Sequence, residues 1–137
     1  MPGEIVTTYF EKLLELQNNA YAPYSKFRVA SILVTEDGQE FSGVNVENAS
    51  FGGTICAERS SIVSAISNLG SDTKFRTMHL VAGDSDKFAM PCGFCRQVIN
   101  EFVEDDFVIV VYNNKGEKQE CTIRSLLPNS FSKEDLV

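Results

Sequence analysis

Apolar side chains at Ile5, Tyr9 or Phe10, Leu13, Leu16 and Ala20 recur every three to four residues, which predicts an amphipathic helix over residues 4–20. Pro23 cannot sit in a helix interior and restrains Ala22, so the helix stops before AYAPYSK. FRVASILV (27–34) and EFSGVNV (40–46) carry strand character on either side of Asp37-Gly38, a hairpin turn signal, so residues 27–46 predict a β-hairpin. ENASFGGTI (47–55) reads as loop. From Cys56 the spacing of Ile62, Val63, Ala65, Ile66 and Leu69 is helical, and Gly70 closes it. FRTMHLVAG (75–83) predicts a buried strand, and GDSDKFAMP a loop. CGFCRQVINEFV (92–103) returns to helical spacing, FVIVVY (107–112) is an interior strand, KQECTI is a short strand and IRSLLP gives one helical turn. The order α-ββ-α-β-α-β-β makes an α/β domain over residues 1–137, one sheet with helices packed on it.

Composition narrows the chemistry. A chain of 137 residues buries roughly two-thirds of its unfolded surface, enough for a core. Lys and Arg number 12 against 19 Asp and Glu, a formal charge of −7 that repels phosphate backbones and argues against nucleic-acid partners. No stretch approaches 18 apolar residues and the N-terminus has no signal-peptide pattern, so the expected location is the cytoplasm, with no membrane partner. Four Cys and a single His point to metal or redox chemistry on thiols, not to a His-rich site or a disulfide scaffold.

TICAER (54–59) and MPCGFCRQ (90–97) both place Cys at a predicted helix start. Cys92 and Cys95 are three residues apart and share a helical face, where they can grip one ion. The free N–H groups of a helix start favour thiolates. If the two helix starts face each other, Cys56, Cys92 and Cys95 make three ligands and leave a fourth place for water, as a catalytic zinc requires. Glu58 would then be the carboxylate that handles protons. Three thiolates and one zinc sum to −1, an excess that Arg59 and Arg96 would offset by donating to the sulfurs. Two other readings stand beside this one. Cys-Gly-Phe-Cys fits a dithiol redox motif. A structural zinc with four Cys would recruit Cys121, although a free Cys alternating in a strand is more often a small buried hydrophobe. His79, in an apolar strand, reads as a packed residue.

Cys56-Ala57-Glu58 followed by Pro91-Cys92-Gly93-Phe94-Cys95 resembles the zinc nucleobase-deaminase signature. With AYAPYSKF (20–27), GVNVENAS (43–50) and SLLPNSF (125–131), the chain resembles the small homotetrameric cytidine deaminases of pyrimidine salvage. The resemblance implies a three-layer α-β-α sandwich around a mixed five-stranded sheet. It implies hydrolytic deamination of cytidine and deoxycytidine to uridine and deoxyuridine plus ammonia. It implies further that one zinc per subunit is held by Cys56, Cys92 and Cys95, that water activated at the zinc attacks carbon 4, and that Glu58 shuttles protons. Asn45 and Glu47 match a pair that binds the ribose 3′-hydroxyl, Phe27 an aromatic against the pyrimidine, and Ala57 a backbone contact to the base. Ala49, Phe51 and Phe131 complete the implied substrate contacts, and neighbouring subunits of the homotetramer complete each active site. The chain departs from the family at Phe51, often Tyr, at Phe94, usually a small residue, and at Ala30-Ser31, which replaces a Gly-Ala pair. The blasticidin deaminases share the zinc motifs but lack the Asn-x-Glu-Asn run and the Arg after the catalytic Glu, both present here.

Overall fold

A computed structural model describes residues 8–136, so the apolar position at Ile5 lies outside the described residues. Helix α1 (Tyr9–Gln17) precedes the hairpin of β1 (Val29–Thr35) and β2 (Glu40–Val44). Then come α2 (Ala57–Leu69), β3 (Phe75–Ala82), α3 (Gly93–Phe102), β4 (Val108–Tyr112), β5 (Lys118–Thr122) and the one-turn α4 (Ile123–Leu126). The strands form one sheet in the order β2-β1-β3-β4-β5. Only β3 and β4 run parallel, and the other neighbours are antiparallel, which is the expected mixed sheet. A parallel pair needs a crossover, and α3 supplies it.

Two local features differ from the sequence reading. Helix α1 stops at Gln17 rather than Ala20, because Asn18 and Asn19 donate to Glu15 and Leu16 in tightened i→i−3 bonds. Asn competes with the helix backbone through its own side chain and favours such ends. Short 3₁₀ turns at Phe51–Gly53 and Lys133–Leu136 stand where the pattern gave loop or nothing.

Strand alternation divides the core into two halves. Ala30, Ile32, Val34 and Val81 face α1, which buries Leu13 completely against them. The opposite parity, Leu33, Met78, Leu80, Ile109 and Val111, lies beneath α2 and α3 with Ile62, Ala65 and Ile99. The central strands are therefore buried on both faces, which is why FRVASILV is rich in apolar residues and FVIVVY reads as a continuous apolar run. Each fully buried Leu or Ile contributes about 1.5–3 kcal/mol relative to exposure.

Helix α2 sits very close to the hairpin. A Cβ added at Gly43 would stand 2.5 Å from both the Ala57 carbonyl oxygen and the Ser61 nitrogen, so only glycine admits the helix at this depth. Ser31, on β1 below, is fully buried and donates to Ala57 O at 2.8 Å. The start of α2 is thus pinned from two strands. It lies at the end of the sheet where β1 begins and β3 finishes, since Val29 pairs with Ala82. Among the described residues no helix is long and apolar enough to cross a membrane.

Candidate active site

Cys56 is the N-cap of α2 and Cys92 the N-cap of α3, both with extended backbone (φ −75°, ψ 155° and φ −67°, ψ 167°). Neither side chain caps its helix, so both sulfurs are free to turn outward. Cys95 follows three residues after Cys92, completely buried. The three Sγ atoms all lie within 4.8 Å of one another. Tetrahedral zinc with Zn–S of ~2.3 Å sets sulfurs roughly 3.8 Å apart. A convergent set of three thiols at two helix starts, one half-buried, one exposed and one buried, therefore fits a zinc with an open side. Cys121 lies elsewhere, half-buried on β5 opposite Ile109. A structural four-cysteine site is not assembled.

The electrostatics of the cluster follow from contact. The Cys56 thiol is lowered to about 5, chiefly because the Cys95 thiol donates to it and also because Arg59 stands beside it. The same contact with Cys56, together with burial, pushes Cys95 up. Two sulfurs this close do not both ionise without a compensating positive charge. Glu58, second residue of α2, is only 5% exposed. Burial raises its carboxyl to about 7, and the neighbouring Cys56 charge adds to the rise. A carboxyl poised there can accept and return a proton near neutral pH.

The two arginines behave differently. Arg59 Nη2 donates to Thr54 O at 3.0 Å and reaches Cys56 Sγ at 3.8 Å, the contact the charge arithmetic asked for. Arg96 instead donates from Nε to Pro91 O at 2.7 Å and from Nη1 to Leu126 O at 2.9 Å. The expectation of donation to a sulfur is therefore corrected for Arg96, whose guanidinium is held by two carbonyls and ties the α3 start to α4.

A cleft of about 280 Å³ opens beside the cluster, lined by Phe27, Asn45, Glu47, Cys56, Ala57 and Glu58 among others. Asn45 braces the Phe27 segment: Nδ2 donates to Phe27 O at 2.8 Å, and Oδ1 accepts from Val29 N at 2.9 Å. Glu47 gathers the turn before it, accepting from Tyr24 N at 3.0 Å, from Ser25 N at 3.1 Å and from the Ser25 hydroxyl. These donors hold the Glu47 carboxyl below its ordinary range, the Ser25 hydroxyl foremost. Ala49 and Phe51 are exposed on the 47–55 loop, where Phe51 meets Tyr24 edge-on at 6.0 Å. Phe131 is exposed as well, with its carbonyl accepting from Gln97 at 2.8 Å. None of these three lines the cleft of its own chain.

Sequence reasoning missed several residues that shape this site. Ser25 organises Glu47, and its hydroxyl also accepts from Phe27 N at 3.0 Å. Gly83, at φ +74°, leaves room for the Phe27 ring, since a Cβ there would stand 2.6 Å from its Cε1. The signal available was a glycine directly after a buried strand, which marks a close approach but does not name the visitor.

The comparisons with known proteins agree with this geometry. The family described as "Cytidine and deoxycytidylate deaminase zinc-binding region" matches residues 4–111. A cytidine deaminase from Sporosarcina psychrophila is 42% identical over 130 residues, 92% of this chain and 93% of that one. The crystal structure of cytidine deaminase from Burkholderia pseudomallei superposes with a TM-score of 0.84 at 38% identity, covering 91% of this chain and all of that one. A blasticidin-S deaminase from Bacillus cereus is also similar, 30% identical over 135 residues, 95% of this chain and 91% of that one. Three converging thiols, a buried carboxyl beside them and these likenesses along most of the chain lead to one statement: the chain belongs to the cytidine and deoxycytidylate deaminase zinc-binding family.

Proposed function

We propose that this chain hydrolyses cytidine and deoxycytidine to uridine and deoxyuridine with release of ammonia, using zinc held by Cys56, Cys92 and Cys95. The observation that carries the reading is the placement of Glu58, buried at the start of α2 beside the three-sulfur cluster and facing the cleft. Bound to those sulfurs, zinc would act as a Lewis acid and lower the pKa of water toward ~7. Glu58 takes a proton from the attacking water and delivers it to ring nitrogen 3, which leaves carbon 4 electrophilic. As the water oxygen becomes the carbonyl of the product, Glu58 moves a second proton to the exocyclic amine, the carbon 4–nitrogen bond breaks and ammonia departs. A carboxyl near 7 suits both directions of transfer.

Phe27 offers an aromatic wall to the pyrimidine, and Gly83 behind it sets where that wall stands. Asn45 and Glu47 face the same cleft and are assigned to the sugar 3′-hydroxyl, which both nucleosides carry. Phe51 and Phe131, 76% and 59% exposed, support a homotetramer in which neighbouring chains bring them to one another's clefts. The inferred location is the cytoplasm, where thiols stay reduced.

A spectrophotometric assay of cytidine, deoxycytidine and blasticidin S, with and without a zinc chelator, tests the reaction. Loss of absorbance and release of ammonia with the first two substrates, abolished by the chelator, is expected. Turnover of blasticidin S alone, or turnover indifferent to zinc removal, overturns the proposal. Native mass spectrometry tests the tetramer.

A further inference from the structure

Phe94 lies between the two cysteines of α3, and its ring sits over the guanidinium of Arg59 on α2, with 4.5 Å between Arg59 Cζ and the ring centroid. Arg59 Nε is buried and has no hydrogen-bond partner. A dry, unpaired N–H is unfavourable, so hydrogen bonds alone do not account for the guanidinium's position. Phe94 itself is 65% exposed and takes no part in either half of the core. An exposed ring on a helix start, laid over a cation that leans toward a ligand sulfur, has a specific place in this fold.

We propose that Phe94 is a positioning residue: its ring caps the guanidinium of Arg59 and keeps it directed at Cys56 Sγ. This inference rests on the zinc deaminase reading of the same site. The ring quadrupole attracts the cation and the ring body shuts water away from one face of it, so the charge of Arg59 acts on the sulfur with less screening. Without the ring, the long Arg side chain gains water and freedom, and its contact with Cys56 loosens.

Cobalt-exchanged protein provides the readout, because an N–H donated to a thiolate stabilises the sulfur lone pairs and moves the sulfur-to-metal charge-transfer band to shorter wavelength. Wild type, Phe94→Ala, Phe94→Tyr, Arg59→Met and the Phe94→Ala/Arg59→Met double variant are compared. The expected result is a band moved to longer wavelength in Phe94→Ala, unmoved in Phe94→Tyr, and not moved further when Phe94→Ala is added to Arg59→Met. On cytidine, Phe94→Ala should lower kcat about fivefold with little change in KM, since Arg59 leans on a sulfur and not on substrate. A band that stays in place in Phe94→Ala, or moves equally with and without Arg59, overturns the proposal. Absence of cytidine turnover in the wild type would sink the deaminase reading, and the cobalt spectra would still decide the role of Phe94.

Discussion

Ser31 on β1 donates its hydroxyl to the carbonyl oxygen of Ala57, the first residue of α2, at 2.8 Å. The same hydroxyl oxygen lies 2.9 Å from Ser61 Oγ, which in turn donates to Glu58 O at 2.9 Å. A buried polar contact thus runs from the sheet to the carbonyl of Ala57, beside a second hydroxyl that serves the carbonyl of Glu58 itself. Removing it with Ser31→Ala should cost about 1 kcal/mol, a fall in Tm of roughly 3–5 °C for a domain of this size. It should also lower kcat, because the α2 start loses a tether. Calorimetry and initial rates check both, and an unchanged Tm would show that Ser61 closes the gap alone.

Gly43→Ala should be far more damaging. The new Cβ meets backbone, not a flexible side chain, on two atoms of α2 at 2.5 Å. Overpacking against a fixed backbone costs about 1–3 kcal/mol or more, and relief requires α2 to move away from the sheet. The expected outcome is a large drop in Tm together with weaker zinc retention, measured by metal analysis after dialysis. Full zinc content in a destabilised variant would separate the helix position from the metal site.

Glu58→Gln keeps the size of the side chain and removes its proton chemistry. Zinc content should remain at the wild-type level while kcat falls about 10²–10⁴-fold, the usual contribution of a positioned acid–base. Cys92→Ala should lose metal and activity together. Near-normal turnover in Glu58→Gln would remove Glu58 from the mechanism.

His79 gives a pH dependence remote from the cysteine cluster. It lies on β3 with its ring stacked on Tyr9, centroids 3.9 Å apart, and its Nδ1 2.9 Å from the Tyr112 hydroxyl. Burial lowers its pKa to about 4, with Lys118 and Arg76 helping and Glu40 opposing. The folded chain therefore keeps the ring neutral where the unfolded chain, near 6.5, already binds a proton. Its contribution to stability is present above pH 6.5 and is lost as the pH falls from there toward 4. Denaturant midpoints at pH 7.5 and 5.0 should differ more in wild type than in His79→Gln. Equal differences would assign the acid loss to other groups.

The strands and main helices were legible because their periodicities are strong and their breakers, Pro23, Asp37-Gly38 and Gly70, are sharp. The convergence of Cys56, Cys92 and Cys95 beside Glu58 was legible because thiols spaced at two helix starts have a chemical reason to meet. Arg96 was misread because two backbone carbonyls far apart in sequence, Pro91 and Leu126, capture its donors, and no local pattern announces them. Ser31 entered the sequence reading only in the Ala30-Ser31 departure, and Gly43 only as the first residue of GVNVENAS. Their meaning depends on which helix lies above them, a long-range fact that side-chain type does not encode.

The hairpin separates chemistry from chain continuity. Val29 pairs with Ala82 at the cleft end of β1 and β3, whereas Thr35 pairs with Phe75 at the other. Seven residues of β1 at ~3.3 Å each place about 20 Å between the cleft and the Asp37-Gly38 turn. That turn is exposed and outside both halves of the core. The molecule therefore carries a natural insertion port, a point where a peptide tag or reporter can be spliced into the backbone while the sulfurs, Glu58 and the nucleoside cleft stay at the far end.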